Sequence, residues 1–116
     1  MKRRVVVTGL GMITPVGNDV ATTWRALTEG TSGAAPITKF DATSFPVRFA
    51  CEVKGFDPLR AMDRKEAKRA DLYTQYAVSA SVEAMTDAGF SPGNGYDIDR
   101  TGVILGSGIG GLKSFE

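Results

Sequence analysis

The sequence of 116 residues contains no histidine and only one cysteine, Cys51. Without histidine the commonest general base and metal ligand is missing, so any histidine-dependent chemistry would need groups from elsewhere. A single cysteine cannot form a disulfide within the chain, which favours a reducing cytoplasm. Cys51 lies in a predicted strand with no helix N-terminus or basic neighbour to activate it, so we interpret it as a small strand residue. No metal site and no cofactor are predicted.

The sequence also lacks a long apolar run and an excess of either charge. Its 14 Lys and Arg residues against 13 Asp and Glu residues give a net charge of +1, which predicts no general attraction to nucleic acid or to an anionic membrane. No apolar run approaches the roughly 20 residues of a membrane span. The start, MKRRVVVTG, has only three consecutive apolar residues and indicates a strand, not a signal peptide.

Strands and helices are predicted to alternate along the chain. Residues 4–8, of which all but Arg4 are β-branched, indicate a buried strand. A helix is expected over residues 20–29, with Asn18 or Asp19 as its N-cap and Gly30 as its stop.

The apolar residues of this helix are predicted to share one face. Val20, Trp24 and Leu27 recur at helical spacing and so lie on one side of the helix. Residues 31–46 are rich in turn formers and predict a long surface connection. Residues 47–53 alternate loosely and indicate a short edge strand.

A second helical stretch is predicted over residues 63–88. Asp63 and Glu66 have the spacing of a capping box, and Asp71 could cap a second, longer segment. Gly89 is the expected stop. This stretch carries an apolar stripe, rich in small residues, that suits close packing against a sheet. The stripe consists of Tyr73, Tyr76, Ala77, Ala80, Ala84 and Ala88.

The apolar residues 103–105 predict a further strand. The predicted order is a strand, a helix, a long connection, a second helix and a strand. This order indicates an α/β layer with a mainly parallel sheet. Two main strands cannot cover both helices, so we expect this chain to be the opening piece of a larger domain.

The glycines that follow this strand allow three interpretations. Gly106, Gly108 and Gly111 have G-x-G-x-x-G spacing, which suits a dinucleotide site only when a helix and a later acidic residue follow. A tight turn and a loop that lines a substrate cavity are the alternatives, and we favour the cavity. The earlier segment VTGLGMITPVGN resembles a dehydrogenase opening, but Ile13 occupies the position where that pattern needs glycine.

Four basic residues cluster at the start of the second helical stretch. Within RKEAKR, Lys65, Lys68 and Arg69 are spaced i, i+3 and i+4, so they project together. They form either a solvated helix face or a binding surface. Cations at a helix start oppose the helix dipole, whereas they are favourable if a short helix ends near Ala70.

Several motifs together resemble one enzyme family. RRVVVTGLGMITPVGN, RKEAKRAD, TQYAV and GSGIGGL occur in the order found in the N-terminal part of β-ketoacyl-acyl carrier protein synthases of type II, condensing enzymes of the thiolase-like fold. The resemblance implies that residues 1–116 form the N-terminal part of the first ketosynthase half-domain. It also implies a decarboxylative Claisen condensation with malonyl-acyl carrier protein in fatty acid biosynthesis. The family's catalytic cysteine and two histidines have no counterpart here, so the chain alone is expected to be inactive.

The resemblance further assigns roles to particular positions. It implies that Lys65, Lys68 and Arg69 dock the acidic acyl carrier protein, and that Ile109 lies at the acyl-chain pocket near the interface of a homodimer. Two alternatives stay open. One is a non-catalytic subunit of the chain-length-factor type, and the other is an NADPH-dependent reductase.

Overall fold

The computed structural model describes residues 2–91, 93–94, 96–111 and 114. It divides into two compact units, one formed by Met12–Phe56 and the other by Met1–Gly11 with Asp57–Glu116. The helices are α1 (Val20–Thr28), α2 (Arg64–Arg69) and α3 (Leu72–Asp87), with short 3-10 turns at Pro58–Arg60 and Ile98–Arg100. The strands are β1 (Ala35–Pro36) and β2 (Phe49–Ala50).

Helix α1 begins and ends where the sequence predicts. Asp19 is the N-cap, and its carboxylate accepts a hydrogen bond from the backbone N–H of Thr22 at 2.7 Å. At the other end Gly30 has a φ of +70°, which L side chains rarely adopt. Its N–H donates to the carbonyl of Leu27 at 3.1 Å, so the final turn is closed as in a Schellman motif.

The apolar face predicted for α1 is not its buried face. Trp24 is 66% exposed and Leu27 is 57% exposed. The buried residues of this helix are instead Thr23 and Ala26. The helix thus turns its small residues inward and its large apolar residues to the surface of the described chain.

A polar contact explains why Thr23 faces inward. Its hydroxyl lies 3.1 Å from that of Thr14 and 3.3 Å from the carbonyl oxygen of Gly17. Thr14 and Gly17 themselves pair across a tight turn. This turn packs on α1 so closely that a Cβ at Gly17 would lie 2.5 Å from the backbone nitrogen of Thr23. A large apolar side chain at position 23 would not fit there.

The predicted edge strand over residues 47–53 is only partly formed. β2 pairs antiparallel with β1, so that Ala35 faces Ala50 and Pro36 faces Phe49. Its partner therefore comes from residues 31–46, which were predicted to be a connection. Cys51 follows β2 and is exposed, so the interpretation of it as a residue within a strand is also wrong.

The second helical stretch is two helices. The predicted capping box is present at the start of α2: Asp63 accepts from the N–H of Glu66 at 2.8 Å, while Glu66 accepts from the N–H of Asp63 at 3.3 Å. Ala70 then takes an extended conformation, with φ −86° and ψ 134°, which ends α2 before Asp71 begins α3. α3 ends at Asp87, and Gly89, the predicted stop, follows the C-cap residue Ala88 with a φ of +64°.

The small-residue stripe of α3 makes the predicted close approach. A Cβ at Gly11 would overlap the carbonyl oxygen of Ala80, and one at Gly9 would overlap that of Ala84. Only glycine lets the backbone come so near a helix. The neighbour is an extended N-terminal segment and not a sheet.

The mainly parallel sheet is not present among the described residues. Residues 4–8 and 103–105 form no ladder. Val5 is 93% exposed and Ile104 is 97% exposed, so neither segment is a buried strand here. β-Branched residues favour an extended backbone, but a strand also needs a neighbour to complete its hydrogen bonds. Within the described part of the chain, no helix is both long and apolar enough to cross a membrane.

Candidate functional site

The basic residues of α2 surround one open hollow. The capping box starts this helix at Arg64 and the break at Ala70 ends it at Arg69, so its basic side chains are concentrated within two turns. All of these side chains are exposed. They line a hollow of about 350 Å³ made by Arg64, Lys65, Lys68 and Arg69.

The break after α2 also resolves the electrostatic alternative left open by the sequence. Lys68 and Arg69 lie in the last turn of a short helix. Cations there interact favourably with the partial negative charge of the helix C-terminus. Lys68 and Arg69 therefore favour the helix, whereas Arg64 and Lys65 lie in its first turn, where cations oppose the helix dipole.

The glycine segment, residues 106–111, is open at one end and packed at the other. Among the described residues, no atom lies within 4 Å of a Cβ built on Gly106 or Gly108. Gly110 has a φ of +76°, and a Cβ there would lie 3.5 Å from the ring of Tyr73. Leu112, the last residue of the quoted GSGIGGL motif, lies outside the described residues.

Ile109 is the one large side chain of the glycine segment. It is 75% exposed, so the described residues do not pack it into a core. They also do not enclose a cavity around it, and its place at an acyl pocket stays a prediction.

Asp71 joins the two parts of the candidate site, a role that the sequence analysis did not predict. Its carboxylate accepts a hydrogen bond from the hydroxyl of Ser114 at 2.7 Å. It also lies so close to Gly111 that a Cβ there would overlap it. The end of the glycine segment therefore rests on the residue that separates α2 from α3. This contact spans 43 positions of sequence, which no local pattern could have revealed.

Other ionisable groups of the described chain support structure. The hydroxyl of Thr38 donates to Glu52 at 2.6 Å and lowers the pKa of that carboxyl. Burial raises the pKa of Tyr76 on α3. Among the described residues, no three His, Cys, Asp or Glu side chains are grouped so that they could hold a metal ion.

The family comparison agrees with the motifs. The model of the N-terminal domain of β-ketoacyl synthases matches residues 2–116. The chain belongs to the β-ketoacyl synthase family. This confirms the resemblance inferred from the sequence, and it leaves the reductase hypothesis without support.

Relatives of this family member share about half of its residues. It is 50% identical over 115 residues to 3-oxoacyl-[acyl-carrier-protein] synthase 2 of Vibrio cholerae, covering 99% of this chain and 28% of that protein. The protein of the same name from Synechocystis is 51% identical over 115 residues, covering 99% of this chain and 27% of the relative. The one from Staphylococcus aureus is 46% identical over 114 residues, with 98% and 27% covered. The chain thus spans little more than a quarter of the length of these relatives.

A solved structure shares the fold. The ishigamide ketosynthase/chain length factor superposes with a TM-score of 0.72 at 41% identity, covering 78% of this chain and 23% of that one. The ketosynthase-like, thiolase-like fold predicted from the sequence is therefore confirmed. The mainly parallel sheet is not confirmed.

Proposed function

We propose that this chain is the N-terminal segment of a cytoplasmic 3-oxoacyl-acyl carrier protein synthase of fatty acid biosynthesis, hereafter the full-length synthase. The identity of about half over 115 residues to proteins of that name carries the proposal. In the proposed reaction the bond between the malonyl α-carbon and its carboxylate breaks, and the carboxylate leaves as carbon dioxide. The electron pair of that bond forms the new bond from the α-carbon to the acyl carbonyl carbon. The thiolate that held the acyl group departs.

The catalytic groups of this reaction lie in the rest of the full-length synthase. The present chain has no histidine, and its exposed Cys51 follows an edge strand. Its own contribution is therefore to recognise and position substrates.

The partner of the basic hollow is proposed to be the acyl carrier protein, loaded with acyl or malonyl groups. Lys65, Lys68 and Arg69 are exposed on one short helix and line the same hollow. An acidic protein surface complements such a cluster, and charges at the edge of an interface mainly set the rate of association.

Ile109 is proposed to lie at the acyl-chain pocket. Its exposure of 75% and the open space around Gly106 and Gly108 leave room for an apolar ligand beside it. A single large side chain in such a space would limit how long an acyl chain can be.

The extended apolar segments are proposed to enter a parallel sheet in the full-length synthase, which we infer to be a homodimer. Val5 and Ile104 are almost fully exposed. Apolar, β-branched segments with unpaired backbone groups are normally covered by neighbouring strands. The relatives are several times longer than this chain, which is ample for the missing strands.

A second candidate is a non-catalytic subunit of the chain-length-factor type. The observation that favours it is the similarity to the ishigamide ketosynthase/chain length factor. Incubation of the full-length synthase with radiolabelled acyl-acyl carrier protein separates the two candidates. A synthase becomes acylated through a thioester that hydroxylamine cleaves, whereas a subunit without the nucleophile stays unlabelled.

A further inference from the structure

Asp71 occupies a helix N-cap position without capping the helix. Every described helix begins after an aspartate, and the other four carboxylates accept a hydrogen bond from a backbone N–H of their own first turn. These are Asp19, Asp57, Asp63 and Asp97. The carboxylate of Asp71 makes no such bond. It is directed to another contact.

That contact is the end of the glycine segment. Oδ1 of Asp71 accepts from the Ser114 hydroxyl at 2.7 Å. The carboxylate also fills the space where a side chain at Gly111 would lie. Next along the segment, Gly110 packs near the ring of Tyr73, on the first turn of α3. Two adjacent glycines and a serine thus rest on the start of one helix.

The other end of the segment has no such support. A Cβ on Gly106 or Gly108 would meet no atom within 4 Å in the described structure. Ile109 lies between the open part and the anchored part, directly before Gly110. Its position therefore depends on how firmly the anchored part is held.

We propose that Asp71 is a positioning residue for Ile109. Its carboxylate holds the glycine segment against α3 and so fixes the side chain that limits acyl-chain length. This inference rests on the proposed function, because it takes Ile109 to lie at an acyl pocket. Asp71 comes two positions after Arg69, so the anchor of this segment directly follows the basic helix.

The test measures chain-length preference in the full-length synthase. The quantity is the ratio of kcat/KM for a long acyl primer to that for a short one. Asp71→Ala and Ser114→Ala each remove one side of the hydrogen bond, and each should raise this ratio by about threefold to tenfold, since small displacements in a site have large kinetic effects. Asp71→Asn keeps an oxygen that accepts from Ser114, so it should preserve the wild-type ratio.

A double-mutant cycle tests the same contact by changing how the two residues fit together. Gly111 does not have a positive φ, so Gly111→Ala introduces no backbone strain of that kind, but its Cβ would overlap the Asp71 carboxylate. Gly111→Ala should therefore shift the ratio. Combined with Asp71→Gly, it should add no shift beyond that of Asp71→Gly alone, since the two residues act through one contact.

Asp87→Ala is the matched control. Asp87 lies at the far end of α3 and accepts a hydrogen bond from the N–H of Leu10 at 2.9 Å. Its loss should lower the melting temperature and leave the ratio unchanged. If Asp87→Ala shifts the ratio as much as Asp71→Ala, the effect is general loosening and the proposal is wrong.

The remaining outcomes are also decisive. An unchanged ratio in Ser114→Ala overturns the proposal, and this exposed hydroxyl can be removed even if Asp71→Ala does not fold. Additive effects of Gly111→Ala and Asp71→Gly would overturn it as well. A wild-type protein that extends no primer of any length would instead refute the proposed function.

Discussion

The side-chain amide of Gln75 donates a hydrogen bond to the carbonyl oxygen of Ala70 at 2.9 Å. The same nitrogen donates to Ala67, also at 2.9 Å. Both carbonyls belong to the end of α2, where helix carbonyls lack partners within the helix. One side chain of α3 thus fixes the point at which the basic helix stops.

Removal of this amide should disturb the basic helix. Gln75→Ala leaves two part-buried carbonyls without their donor, which should destabilise the full-length synthase by about 1–3 kcal/mol. The KM for acyl-acyl carrier protein should rise with it, because the basic side chains lose their common support. Thermal melts and steady-state kinetics measure both effects. An unchanged KM together with a lowered melting temperature would show that carrier docking does not depend on this end of α2.

Charge reversal on the basic helix should weaken carrier docking. Lys65→Glu, Lys68→Glu and Arg69→Glu should each raise the KM for carrier-bound substrate, by about threefold to tenfold at low salt. Activity on a small acyl thioester without carrier should be retained. Arg25→Glu on α1 makes the same charge change outside the hollow and serves as control. Equal losses on both substrates would mean that the basic residues support the fold.

Enlargement of Ile109 should restrict the acyl chain. Ile109→Phe in the full-length synthase should block long primers and spare the shortest ones, whereas Ile109→Ala should favour longer products. The comparison is a product profile by mass spectrometry, with melting temperatures measured in parallel. If Ile109 were packed in a core, the added bulk would instead cost about 1–3 kcal/mol and harm all substrates alike. That uniform loss would refute the pocket assignment.

Local sequence signals predicted the helix ends well. Asp19, the Asp63–Glu66 capping box, Gly30 and Gly89 all act as expected. Caps depend on residues a few positions apart, so the chain carries the whole signal locally. The sequence also allowed the second helical stretch to be divided near Ala70, because Asp71 was a candidate N-cap for a second segment.

Contacts between distant residues could not be predicted in this way. The buried side of α1 is set by the contact of Thr23 with Thr14 and Gly17, and the spacing of the apolar residues did not indicate that side. The tie between Asp71 and Ser114 likewise depends on tertiary contact. Sheet pairing is non-local too, so residues 4–8 and 103–105 could be recognised as extended but not assigned partners.

We propose above all that this chain belongs to an enzyme that condenses malonyl and acyl groups. The direct measurement incubates the full-length synthase with acyl-acyl carrier protein and malonyl-acyl carrier protein labelled with carbon-13, and follows the products by mass spectrometry. We expect a 3-oxoacyl product extended by two labelled carbons, equimolar release of carbon dioxide, and no product from the isolated 116-residue chain. Extension by the isolated chain, or a full-length protein that yields no 3-oxoacyl product, would contradict it.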